Sequence, residues 1–229
     1  MLSSVERTAI DGAAGPIEIT IDWPRLADED RADGIVFIGH PHPLFGGAAD
    51  NKVVTTIART FVALGWIAVR PNFRGVGASA GEHDAGNGET DDFLHLIATV
   101  PAMPSVRSKL DAAAPIAVAG FSFGSFVAAR AANAIAEQGS PVRYIVLVGA
   151  AAKKWPMPSV AAQTLVIHGE LDETIPLPDV LDWARPQELP VIVVPAADHF
   201  FHRRLGILKR LITAHTQGMA AIDSAAQTD

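Results

Sequence analysis

The chain has 229 residues, of which 49% are hydrophobic and 19% charged, and a formal net charge of −7. That length suits one well-buried domain and is short for two, and the composition is that of a globular chain rather than a disordered one. The acidic balance, with no cluster of Lys or Arg, excludes a basic stripe of the kind that neutralises nucleic-acid phosphates.

There is no cysteine, which removes disulfides, thiolate nucleophiles and Cys-ligated zinc together. The N-terminal stretch MLSSVERTAIDGAAG lacks the apolar run of a secretory signal. No segment approaches the roughly 20 apolar residues that cross a bilayer. The sequence is therefore read as cytoplasmic, with neither a membrane nor a nucleic acid as partner.

In chain order, Ile17 to Trp23 alternates in the period of a strand, and Gly34 to Gly39 (GIVFIG) is a continuous apolar run, as in a strand buried on both faces. Asp50 to Leu64 carries Val53, Val54, Ile57, Ala58, Phe61 and Leu64 at helical spacing and stops at Gly65. Trp66 to Pro71 is the next strand, followed by a Gly-rich loop from Gly75 to Gly88 and a helix over Glu89 to Val100. A strand over Pro115 to Gly120, an Ala-rich helix over Phe123 to Gln138 and a strand over Tyr144 to Gly149 come next. Thr164 to His168, a short helix after Pro176, Val191 to Pro195 and a helix over His202 to His215 complete the order. Strands alternating with helices across short links predict an α/β domain over residues 1–216, with a mostly parallel sheet and helices on both faces. Residues 217–229, rich in Ala, Gln, Asp and Thr, are expected to form a flexible tail.

Gly120-Phe121-Ser122-Phe123-Gly124 fits the pattern G-x-S-x-G and falls between a predicted strand and a predicted helix. That context suits a strained turn that lifts a serine hydroxyl clear of a sheet, with small residues on either side where strand and helix backbones nearly touch. A serine hydroxyl needs an imidazole to take its proton, and the imidazole needs a carboxylate to hold its tautomer. His168-Gly169-Glu170-Leu171-Asp172-Glu173 follows a strand and offers Asp172 as the acid, with Glu170 and Glu173 as alternatives; His168 closes the strand and reads as structural. His199, a few residues past Val191 to Pro195, is the expected base. His202 is placed at or inside the last helix, with Leu205, Leu208 and Leu211.

Acyl transfer also needs donors for a developing oxyanion. The N–H of Phe123 is one. The other is expected from His40-Pro41-His42-Pro43-Leu44-Phe45, where the prolines cannot donate, leaving His42, Leu44 or Phe45, of which His42 and Leu44 are favoured. His40 and His42 could also be read as a metal pair, but two ligands do not make a site; we expect no metal and no cofactor.

With these residues assembled, the chain resembles the α/β-hydrolase superfamily, and more narrowly its compact bacterial members that lack a lid. The matching stretches are HPHPLFGG (His40–Gly47), DNKVVTTIAR (Asp50–Arg59), NFRGVGAS (Asn72–Ser79), GFSFG, HGELDETIP (His168–Pro176) and ADHFFHRRL (Ala197–Leu205). The resemblance implies a triad of Ser122, Asp172 and His199. Arg74 is read as a structural arginine tying loops together, and Glu82, His83, Asp84 and Glu89 as a solvated loop, with a place at the border of the pocket as the alternative. Caps in this fold are usually inserted after the strand that here ends near Gly149; Thr164 already starts the next one, so only a short loop fits.

The expectation is an open, shallow serine-hydrolase site for small soluble carboxylic esters. A thioester would use the same machinery, a peptidase role is weaker for want of an acidic pair, and a missing lid disfavours an interfacial lipase. The rival from another class is a non-catalytic scaffold of the same fold that only binds a ligand.

Overall fold

A computed structural model describes residues 4–226. Eight strands form one sheet in the order β1-β2-β4-β3-β5-β6-β7-β8. The first two, β1 (Val5–Gly12) and β2 (Gly15–Asp22), form an antiparallel hairpin, and β2 also pairs antiparallel with β4 (Trp66–Pro71). From β4 across β3 (Gly34–Gly39), β5 (Ile116–Phe121), β6 (Tyr144–Val148), β7 (Leu165–Gly169) and β8 (Val191–Val194) every pairing is parallel. The inner strands are apolar throughout because helices cover both of their faces.

Successive strand residues point to opposite faces and so build two cores. Ile35, Phe37 and Val118 pack with Phe93 and Leu96 of α2 (Asn87–Thr99), with Phe126 and Val127 of α4 (Phe123–Glu137) and with Val180 of α5 (Leu177–Ala184). Val36, Ile38 and Ala119 pack on the other face with Val53, Ile57 and Phe61 of α1 (Lys52–Ala63) and with Leu208 and Ile212 of α6 (Leu205–Ala226). Asn51 caps α1, its side-chain oxygen accepting the Val53 N–H at 2.9 Å. A single turn, α3 (Pro104–Arg107), completes the helices.

Two elements depart from expectation. The sequence reading had no strand at β1, whose residues alternate between exposed and half-buried rather than apolar and polar; pairing with β2 makes it a strand. The last helix runs on to Ala226 instead of giving way to a tail after residue 216. Ala is the strongest helix former, and Met219 packs against the core beneath. Residues 227–229 of the expected tail lie outside the described residues. Among the described residues the link between β6 and β7 holds no helix or strand, so it carries no lid of helices. No described helix is long and apolar enough to cross a membrane.

Candidate active site

β5 ends at Phe121 and α4 begins at Phe123, which leaves Ser122 alone to reverse the chain. Its backbone has φ 55° and ψ −123°, a region that L-residues other than glycine rarely occupy. The flanking glycines explain how so tight a turn fits. A Cβ on Gly120 would lie 2.0 Å from the Gly124 carbonyl oxygen, and one on Gly124 would lie 2.2 Å from that of Gly39. Strand, helix and the end of β3 therefore touch backbone to backbone. Ser125 locks the arrangement: its hydroxyl donates to the Ser122 carbonyl at 2.5 Å and accepts the Ala151 N–H at 3.1 Å.

The structure brings the three expected residues together. His199 Nε2 lies 3.0 Å from Ser122 Oγ, and His199 Nδ1 lies 2.7 Å from Asp172 Oδ2. All three are nearly buried, with Ser122 9% exposed and the other two 5%. Asp172 Oδ1 accepts the N–H groups of Thr174 at 2.9 Å and Ile175 at 2.8 Å, so the carboxylate is oriented before the imidazole meets it. A carboxylate can only accept, so the His199 proton sits on Nδ1 and Nε2 presents its lone pair to the serine hydroxyl. The loops carrying acid and base are stitched together: Leu171 N–H donates to the Ala197 carbonyl at 2.9 Å, and Ala196 N–H donates to Glu170 Oε2 at 2.8 Å. This gives Glu170 a bracing position, while Glu173 is exposed.

His168 is fully buried and its Nε2 lies 2.9 Å from the Ile175 carbonyl; burial keeps it easier to deprotonate than a free imidazole. His202 needs a correction. It lies in the turn before α6, which starts only at Leu205, because Asp198 takes its backbone N–H at 3.0 Å and its Nδ1 at 2.6 Å. Its side chain is 67% exposed. The loop around it holds Ala196, Phe201 and Arg203 at positive φ, which no helix could continue.

After β3 the chain forms a 3-10 turn over Pro43–Phe45 with His42 as its cap. The Leu44 N–H reaches back to His42 Nδ1 at 3.2 Å, and those of Phe45 and Gly47 go to the His42 carbonyl at 3.1 and 3.0 Å. Leu44 and Phe45 therefore have their N–H groups engaged. The His42 N–H makes no hydrogen bond among the described residues, and the Phe123 N–H, in the first turn of α4, has no carbonyl ahead of it in the helix. His40 anchors the loop: Nε2 accepts the Phe73 N–H at 2.9 Å and Nδ1 donates to the Pro41 carbonyl at 2.6 Å. Burial pushes its pKa down to about 4. With both ring nitrogens occupied, His40 is not placed to share an ion with His42.

Arg74 ties loops as expected, with Nε and Nη2 on the two oxygens of Asp92 at 2.8 and 3.0 Å. The loop after it does not behave as expected. Glu89 is fully buried, and the imidazole of His83 lies against the rings of His42, Phe123 and Trp155, with centroids 4.5, 5.2 and 6.0 Å away. A solvated loop is thus the wrong description of these two residues; Glu82 and Asp84 are exposed. Trp155, from the link between β6 and β7, stacks on Phe126 at 5.5 Å and an interplanar angle of 21°. Nothing in the spacing of the sequence singled it out.

A serine at a strand-to-helix turn, at the carboxyl end of a mostly parallel eight-stranded sheet, with a carboxylate from the loop after β7 and an imidazole from the loop after β8, defines an α/β hydrolase. Comparison with solved structures agrees. The chain is 33% identical to an α/β serine hydrolase without a lid from Xanthomonas campestris, over 96% of both chains and with a TM-score of 0.80. It is 34% identical to an α/β serine hydrolase homologue from Coxiella burnetii, covering 91% of this chain and 95% of that one, with a TM-score of 0.75. The chain belongs to the α/β-hydrolase superfamily. Among curated proteins, an uncharacterized protein of Rickettsia prowazekii is 38% identical over 95 residues, which are 41% of this chain and 37% of that protein. No protein-family profile matches the chain.

Proposed function

We propose that the protein hydrolyses small carboxylic esters through an acyl-enzyme, with Ser122 as nucleophile, His199 as general base and then general acid, and Asp172 as the group that holds the imidazolium. The observation that carries this reading is the unbroken chain from Ser122 Oγ to His199 at 3.0 Å and from His199 to Asp172 at 2.7 Å, on a serine held at φ 55°. Ser122 Oγ attacks the ester carbonyl while Nε2 removes its proton. The same proton then goes to the departing alcohol, and a water repeats the sequence to release the acid. The Phe123 and His42 N–H groups receive the oxyanion, aided by the positive end of α4.

A thioester would pass through the same steps, since only the leaving atom differs. The link from β6 to β7, without a lid, suits substrates that reach the serine from solution as single molecules rather than at a lipid surface.

A graded series of p-nitrophenyl esters and acyl-CoA thioesters, run with the native protein and with Ser122→Ala, tests the reading. We expect hydrolysis of the short-chain esters and a loss on the order of 10³-fold or more in kcat in the variant. Native rates in Ser122→Ala would overturn the assignment. A preference for the thioesters would move the substrate class and leave the triad in place.

A further inference from the structure

Beside Ser122 and its partners stands another histidine–carboxylate pair, one with a fully buried carboxylate. His83 Nδ1 lies 2.8 Å from Glu89 Oε1, with Glu89 fully buried and the His83 side chain 11% exposed. The same carboxylate accepts the Asp84 N–H at 2.9 Å and the Gly86 N–H at 2.8 Å, which satisfies a charge that would otherwise be costly to bury. Capping the first turn of α2 accounts for those backbone contacts. It does not account for an imidazole fixed on top of them, with Nδ1 held by Glu89 and Nε2 left without a partner among the described residues.

The position of that imidazole ties it to the reaction. It lies against the rings of both residues to which we assign oxyanion donors, His42 at 4.5 Å and Phe123 at 5.2 Å, and Trp155 closes a third side at 6.0 Å. Phe45 extends the same ring-lined surface from His42 at 4.7 Å and is 86% exposed. Aromatic walls favour a flat ring packed edge-on or offset. With Nδ1 protonated by its contact with Glu89, Nε2 is an acceptor when the imidazole is neutral and a donor when it is charged. A hydroxyl pairs with it in both states, because it donates and accepts.

We propose that His83, positioned by Glu89, is a specificity residue that hydrogen-bonds through Nε2 to a hydroxyl carried on an aromatic group of the ester substrate. The inference rests on the acyl-transfer reading of Ser122 and narrows its substrate class.

Two matched substrate pairs test it: methyl para-hydroxyphenylacetate against methyl phenylacetate, with the hydroxyl on the acyl side, and resorcinol monoacetate against phenyl acetate, with it on the alcohol side. We expect the native enzyme to favour the hydroxylated member of at least one pair by about tenfold in kcat/KM, expressed mainly in KM, as one hydrogen bond allows. His83→Asn keeps an amide donor for Glu89 and leaves no group at the Nε2 position. It should bring that ratio to within about twofold of unity, the hydroxylated ester losing more than its partner. His83→Gln, whose amide reaches toward Nε2, should retain part of the preference and serves as a second variant should Asn disturb the fold. No preference in either pair, or a preference that persists in His83→Asn, overturns the inference. If Ser122 is still labelled by a fluorophosphonate in that event, only the role of His83 falls. If there is neither labelling nor hydrolysis of any ester, the acyl-transfer reading falls and takes this one with it.

Discussion

Among single residues, His199 and His202 differ first in their carboxylate partners. Asp172 is buried and turns His199 toward Ser122, whereas Asp198 holds His202 at the surface. His199→Ala should therefore collapse kcat by on the order of 10³-fold, while His202→Ala should change it by less than about tenfold. Steady-state kinetics on the two variants decides this, and the reverse pattern would redraw the triad around His202. His40 makes a different prediction. Burial holds its pKa near 4 against an ordinary 6.5, so between those values the unfolded chain takes up a proton that the folded one refuses. Stability is then fully present above pH 6.5, falls as the pH drops toward 4, and stops changing on this account below it. The contribution is about 3 kcal/mol at roughly 1.4 kcal/mol per pKa unit. Urea unfolding across that window should show the loss in the native protein and a shallower one in His40→Gln. Parallel pH dependences would exclude His40 as the source.

At the scale of elements, the backbone contact between β3, β5 and α4 is what seats the serine, and two glycine substitutions separate it from ordinary helix stability. Gly124→Ala forces a Cβ toward the Gly39 carbonyl and should cost about 1–3 kcal/mol, the range for overpacking, lowering Tm by several degrees and displacing Ser122. Gly218→Ala adds its methyl to an exposed position in the interior of α6 with nothing within 4 Å, and should raise stability by about 0.5–1 kcal/mol. Calorimetry on both variants checks the contrast; equal effects would mean that the close approach is not a constraint. This is also where the sequence was most and least informative. GIVFIG and YIVLV were readable as inner strands because burial on both faces leaves an unbroken apolar run. β1 was not, since Val5 to Gly12 carries Glu, Arg, Thr and Asp and becomes a strand only through its partner. The start of α6 was misplaced because its leucine spacing invites extension backward over His202, where the positive φ of Phe201 and Arg203 and the hold of Asp198 on the His202 N–H break it. Its end was misplaced because an Ala-rich stretch is ambiguous between frayed tail and helix until packing decides.

At the scale of the whole molecule, the positions of Ser122, Asp172 and His199 were legible because each follows a recognisable strand, and a parallel sheet gathers the loops at its carboxyl end. The residues that surround them were less so, with His83 and Glu89 readable only as the weaker alternative to a solvated loop. His83 and Glu89 sit in a Gly-rich stretch whose composition matches any surface loop, and only the folded chain carries them to Phe123 and Trp155. The loop to which we assign an oxyanion donor lay between: prolines removed two donors on paper, but the engagement of the Leu44 N–H by His42 Nδ1 is a matter of geometry. Turnover is proposed to acylate Ser122 at Oγ. Intact-mass and peptide-level mass spectrometry of the native protein treated with a fluorophosphonate tests it most directly. A single adduct per chain is expected, on the peptide containing Ser122, formed together with the loss of esterase activity and absent in Ser122→Ala. An unmodified Ser122 in a protein that still hydrolyses esters, or an adduct on another serine that alone abolishes activity, would contradict it.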